Sequence, residues 1–156
     1  MKKSLFLVIF LTLIILSRPI VYSHCEVPCG IYNDEMRFTM IAEHIQTIEK
    51  AMRQIVQLSK DSPKNMNQTV RWIMNKEKHA EDIQQIISQY FLTQRVKTPE
   101  SEDKPATARY VKNLTICHQI LVYAMKTKQT TDLKSVEMLK SAVEQFKKNY
   151  FESIKK

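Results

Sequence analysis

A histidine and two cysteines fall within six residues, in the run His24-Cys25-Glu26-Val27-Pro28-Cys29-Gly30-Ile31-Tyr32. Imidazole and thiolate are both ligands for late first-row metals, and thiolates favour the softer ions. Cleavage immediately before His24 adds a third donor. It frees an α-amine, whose ordinary pKa is near about 8 and which gives up its proton readily to a competing metal. The amine, the adjoining amide nitrogen and two thiolates can make a planar set, and planar N,S coordination points to nickel or copper rather than zinc. The His24 imidazole, on the same residue as the amine, can reach an axial position. Pro28 fixes a turn between the cysteines, and Gly30, the only glycine of the chain, tolerates the backbone angles needed to leave it.

The residues ahead of this run supply the cut. Residues 1–23 read as a secretory leader: Lys2 and Lys3 form a positive start, Leu5 to Leu16 an apolar stretch short for a membrane span, and Val21 and Ser23 the small residues expected before a cleavage site. The cut falls between Ser23 and His24, so a processing peptidase is an expected partner. Export to a periplasm or to the cell exterior follows, with no stable membrane association after cleavage. An uncleaved anchor is the alternative for this segment. A lipid-modified Cys25 fits poorly, because His24 stands where that processing wants a small residue.

The mature chain, 24–156, has 133 residues, enough for one domain with its own core. Removing the leader lowers the formal net charge from +8 to +5. No block of basic residues is interleaved with aromatics, which argues against nucleic acid as a partner. A diffuse positive field instead speeds the arrival of a small anion.

Downstream of the run the chain reads as helix. Ile41, Ile45, Ile48, Met52 and Ile55 recur at four- and three-residue steps and share one helix face, with Asn33 or Asp34 able to cap the start. Ser62-Pro63-Lys64-Asn65 interrupts the pattern. A second helix is expected over about Gln68 to Leu92, with Ile73, Ala80, Ile83, Ile87 and Tyr90 inward. The stretch from Thr98 to Pro105 is a charged loop bounded by prolines. A third helix is expected over about Ala106 to Lys126, with Val111, Leu114, Cys117, Leu121 and Met125 inward. Asp132 opens a fourth, with Val136, Leu139, Val143, Phe146 and Tyr150 inward. Four amphipathic helices with short connections pack naturally as an antiparallel up-and-down bundle. The expected organisation is thus all-α: a leader over 1–23, a metal-binding hook over 24–32 and a four-helix bundle over 33–156.

His-Cys-x-x-Pro-Cys-Gly-x-Tyr at a mature amino terminus, followed by an all-helical chain, resembles the nickel superoxide dismutase family. The match lies in His24, Cys25, Pro28, Cys29, Gly30 and Tyr32. The resemblance implies a four-helix bundle assembled as a homohexamer, one nickel ion per subunit, and superoxide as the substrate. It implies disproportionation to dioxygen and hydrogen peroxide through nickel(II)/nickel(III) cycling, the anionic thiolate and amidate donors bringing that couple into range. By the same resemblance His24 gives its amine and, in the oxidised state, its imidazole. Cys25 gives its amide nitrogen and thiolate, Cys29 its thiolate, and Tyr32 lines the substrate approach. The family also orients the axial imidazole with an acidic residue and an arginine, for which Glu43, Arg71, Glu77 and His79 are the candidates here.

Two other readings of the hook stay open at this stage. In an exported chain a Cys25–Cys29 disulfide is feasible and would make the molecule a secreted helical binding protein. In the other reading the same ligands carry nickel or copper without turnover. A structural zinc site is disfavoured, because only three side-chain ligands are close and such sites normally take four. Cys117 reads as a small buried hydrophobe, and His44, His79 and His118 each as an isolated packed or surface residue. Asn67-Gln68-Thr69 and Asn113-Leu114-Thr115 match the glycosylation pattern, which matters only in a eukaryotic secretory route.

Overall fold

The computed structural model describes residues 30–100 and 103–154. The expected leader over 1–23 and His24, Cys25 and Cys29 lie outside the described residues. Tyr32–Lys156 makes one compact unit, and Gly30 and Ile31 belong to the unit before it. Gly30 has φ +75°, the left-handed region that a side chain opposes and glycine accepts.

Four α-helices and no strand occur among the described residues: α1 (Asp34–Leu58), α2 (Ser62–Gln85), α3 (Lys104–Gln129) and α4 (Lys134–Ile154). Sequential helices pack against one another and α4 closes back onto α1, as an up-and-down bundle requires. Asn33 caps α1, its side-chain oxygen accepting from the Met36 N–H at 3.0 Å. A 3₁₀ turn, Ser59–Asp61, separates α1 from α2, and Pro63 begins α2 where its missing N–H costs nothing. The α1–α2 hairpin has a mirror register about this bend. Leu58 meets Asn65, Lys50 lies over Trp72, and His44 meets His79, each pair equidistant from Asp61–Ser62 to within one residue.

Beyond Gln85, α2 runs without interruption into a π-helical segment, Ile86–Arg95. Its wider hydrogen bonding is visible at the end, where the Val96 N–H reaches the Phe91 carbonyl at 2.8 Å. Such i→i+5 segments are rare and mostly single turns; a ten-residue one has a local consequence described below.

The core follows the expected stripes on two helices and departs from them on the other two. Ile41, Ile45, Ile48 and Met52 of α1 and all five expected residues of α4 are buried, while Ile55, the last of the α1 stripe, is half-buried. On α2, Ala80, Ile83, Ile87 and Tyr90 are buried while Ile73 faces outward. On α3 the buried face is Asn113, Ile116, Cys117, Ile120, Ala124 and Thr127. Val111 is 52% exposed and Met125 also lies outside, so the expected stripe is turned by one residue. Only Cys117 lies on both. The inward face of α3 is lined partly by small and polar side chains, which a count of apolar residues passes over.

The phase of α3 is testable by stability. Ile120→Ala removes a fully buried side chain and is expected to cost about 3 kcal/mol. Val111→Ala is expected to stay within about 0.5 kcal/mol of wild type. Urea denaturation measures both, and similar losses would contradict the phase described here.

Candidate metal centre and its anchor

Of the four residues expected to form the site, Tyr32 is described, and it is held from two sides. Its ring meets Tyr90 edge-on with centroids 6.0 Å apart, and the Arg95 guanidinium lies 4.3 Å from its centre. The phenol keeps 42% of its surface exposed. The next residue, Asn33, donates its N–H to the Tyr90 hydroxyl at 3.0 Å. Tyr32 and Asn33 are therefore both fixed to the bundle ahead of α1.

These contacts converge on Asp34, the first residue of α1. Each carboxylate oxygen accepts two hydrogen bonds. Oδ1 takes the Tyr90 hydroxyl at 2.6 Å and Arg95 Nε at 2.9 Å. Oδ2 takes Arg95 Nη2 at 2.7 Å and the Tyr150 hydroxyl at 2.8 Å. The carboxylate side chain is only 11% exposed and Arg95 21%, so the pair is sheltered from water and from salt. Below it lies an aromatic layer of Phe38, Phe91, Phe146 and Tyr150, with Phe38 and Phe91 centroids 4.8 Å apart and Phe91 and Phe146 5.0 Å apart.

The π segment explains how one helix delivers both Tyr90 and Arg95. Residues five apart diverge by about 140° around a helix of 3.6 residues per turn, but in i→i+5 winding they are bonded neighbours on successive turns. Tyr90 and Arg95 thus reach the same carboxylate. Helix α4 brings Tyr150 and, one turn earlier, Lys147, which pairs with Glu35.

The electrostatics reinforce the anchor. Burial pulls the Asp34 carboxyl upward, but the hydrogen bonds from Arg95, Tyr90 and Tyr150 outweigh it and leave it below its ordinary 3.8. Burial and the bond to Asp34 push the Tyr90 phenol up to about 12. Tyr150 moves upward for the same two reasons. Both phenols therefore remain donors over the whole working range.

The candidates for orienting the His24 imidazole fall in different places. Glu43 and Arg71 are exposed, and Glu77 lies beside the buried amine of Lys76 at 3.5 Å. That amine donates to the Thr127 and Lys128 carbonyls at the end of α3. His79 meets His44, which no sequence spacing had suggested. Cys117 is fully buried with its thiol pushed up to about 12 by burial, as expected of a packing residue. Asn113 is buried within α3, so the second glycosylation pattern is closed, while Asn67 is exposed.

A family model, nickel-containing superoxide dismutase, matches residues 19–155. The chain belongs to that family. Its activity is therefore that of a nickel superoxide dismutase, an oxidoreductase with a nickel cofactor, and its helical bundle agrees with the assignment. Neither the curated proteins nor the solved structures compared with the chain contain a match.

Asp34 gives a stability prediction with a definite sign. Its folded carboxyl titrates below 3.8, so its contribution is complete above about pH 4 and is lost as the pH falls through the depressed value. Asp34→Ala leaves a guanidinium and two sheltered hydroxyls without their acceptor, and is expected to cost about 3 kcal/mol at neutral pH. The deficit should shrink in acid. Denaturant melts at pH 7 and pH 3 measure it; an equal deficit at both would contradict the role given to the carboxylate.

Proposed function

We propose that the chain is exported, cut before His24, and then acts as a superoxide dismutase whose nickel is held by His24, Cys25 and Cys29. The donor chemistry carries this reading. An α-amine, an imidazole and two thiolates are the nitrogen and sulfur ligands suited to a redox-active late metal, and the family match extends across them. Nickel bound there supplies one-electron chemistry between nickel(II) and nickel(III), by which superoxide is disproportionated to dioxygen and hydrogen peroxide.

The remaining work belongs to the chain's own side chains. His24 contributes its amine and imidazole, Cys25 its amide nitrogen and thiolate, and Cys29 its thiolate. Tyr32, three residues beyond Cys29, presents a hydroxyl that can hold a water or a small anion. Its ring is fixed by Arg95 and Tyr90, so that hydroxyl is placed by the bundle rather than by the hook. Arg37 adds positive field at the Tyr90 ring against which Tyr32 rests. The Arg37 guanidinium lies 4.9 Å from the Tyr90 ring centre and makes no salt bridge among the described residues. An uncompensated cation near the approach raises the arrival rate of an anion.

The subunits assemble as a homo-oligomer, a hexamer by the family resemblance. Supporting this, Met66, Val70, Ile73 and Met74 form an outward apolar stripe on α2, and apolar stripes of this kind mark contact surfaces.

The mature protein from its native host is expected to begin at His24 and to carry about one nickel per chain, read by intact mass and metal analysis. A metal-free chain two hydrogens light would instead indicate a Cys25–Cys29 bridge and remove the hook from catalysis. His24→Ala should retain nickel while losing most turnover, and one extra residue ahead of His24 should abolish activity by displacing the amine. Met66→Lys with Met74→Lys should lower the native mass on sizing chromatography without changing the helical spectrum.

A further inference from the structure

Helices α1 and α2 bring together three potential ligands outside residues 24–32. His44 Nδ1 and His79 Nδ1 are 2.7 Å apart, and the rings are tilted with centroids at 5.0 Å. Asp82 lies three residues beyond His79 and so on the same face of α2. One donor atom from each of the three falls within 4.8 Å of the others. This is the sole such cluster of histidine, cysteine and acidic residues among the described residues.

We propose that His44, His79 and Asp82 form a second metal site, separate from the hook, for a divalent late first-row cation such as zinc. Two imidazole nitrogens and one carboxylate oxygen are a common donor set for such ions. Donors at about 2.0–2.1 Å from a tetrahedral metal stand about 3.3 Å from one another. The two Nδ1 atoms, at 2.7 Å, stand closer than this and would part on binding an ion, while all three donors already lie within 4.8 Å of one another. All three residues are half-buried, which leaves a solvent side for entry and for water as the remaining ligand.

The local chemistry favours a cation over the bare pair. Two Nδ1 atoms at hydrogen-bond distance can share one proton, so one ring presents a lone pair to the other and both cannot be charged there. With neutral rings the set carries one negative charge, suited to a divalent ion. The competing group is Lys78, which pairs with Asp82 but is 63% exposed and can swing away. The ligands also stand on rigid elements, opposite one another by the mirror register of the α1–α2 hairpin. A bound ion would clamp that hairpin about ten residues along α1 from Asp34.

The test uses the full mature chain with Cys25→Ser and Cys29→Ser, so that the hook offers no thiolate. Zinc titration by calorimetry should show binding that weakens at least tenfold in His44→Gln and in Asp82→Asn, and persists in His118→Gln, an exposed histidine outside the cluster. Zinc should raise the melting temperature by about 5–10 °C, and His44→Gln should remove the shift. Cobalt should give a ligand-field spectrum of nitrogen and oxygen ligation that is lost in the same variants. Should the altered hook prevent folding, the unaltered nickel-loaded protein, equilibrated with zinc, should hold one more metal ion per chain than its His44→Gln form. Zinc binding undiminished by His44→Gln, or no binding by the folded chain, would leave the pair as an interhelix hydrogen bond only and overturn the site.

Discussion

A sheltered carboxylate with four donors fixes the end of the bundle at which Tyr32 and Asn33 lead into α1. Asp34 is drawn from the start of α1, Tyr90 and Arg95 from the π segment, and Tyr150 from the end of α4. A charge this poorly hydrated is tolerated only because every lone pair is used. The same full satisfaction makes the arrangement specific: no donor can be shifted without leaving a polar group stranded. Tyr32 and Asn33 take their positions from this set, since they rest on Arg95 and Tyr90.

The π segment and the aromatic layer complement one another. Wider winding lets Tyr90 and Arg95 address one carboxylate, while Phe91, next to Tyr90 in sequence, points inward against Phe38 and Phe146. The polar tips of Tyr90 and Tyr150 meet the acid above, and their rings join the apolar stack below. Tyrosine suits this boundary because its body is apolar and its tip is not.

The helical class and the family were legible in the sequence, the first from local apolar spacing and the second from a short motif, while His24, Cys25 and Cys29 themselves lie outside the described residues. The clean isoleucine steps of α1 and the Val136-to-Tyr150 series of α4 map directly onto buried faces. The α3 face escaped because Asn113, Ala124 and Thr127 carry no apolar signal, while the apolar Val111 and Met125 point outward. Nothing in Ile86–Arg95 announces i→i+5 winding. Asp34 was visible only as a possible cap, since its partners lie 56, 61 and 116 residues away. The His44–His79 pair is an intermediate case: it follows once the bend at Ser59–Asp61 is treated as the mirror of an antiparallel hairpin. Read singly, each histidine is unremarkable.

Those long separations also bear on the order in which the molecule assembles. Contacts between distant residues close late, because the entropy of the intervening chain is spent before they contribute. The α1–α2 hairpin can form early from neighbouring segments. The Asp34 anchor cannot be complete until α4 has docked and Tyr150 has arrived. Tyr32 and Asn33 therefore acquire fixed positions among the last, although they precede every helix of the bundle. A chain emerging amino terminus first thus presents Tyr32 and Asn33 long before it has the bundle end that steadies them.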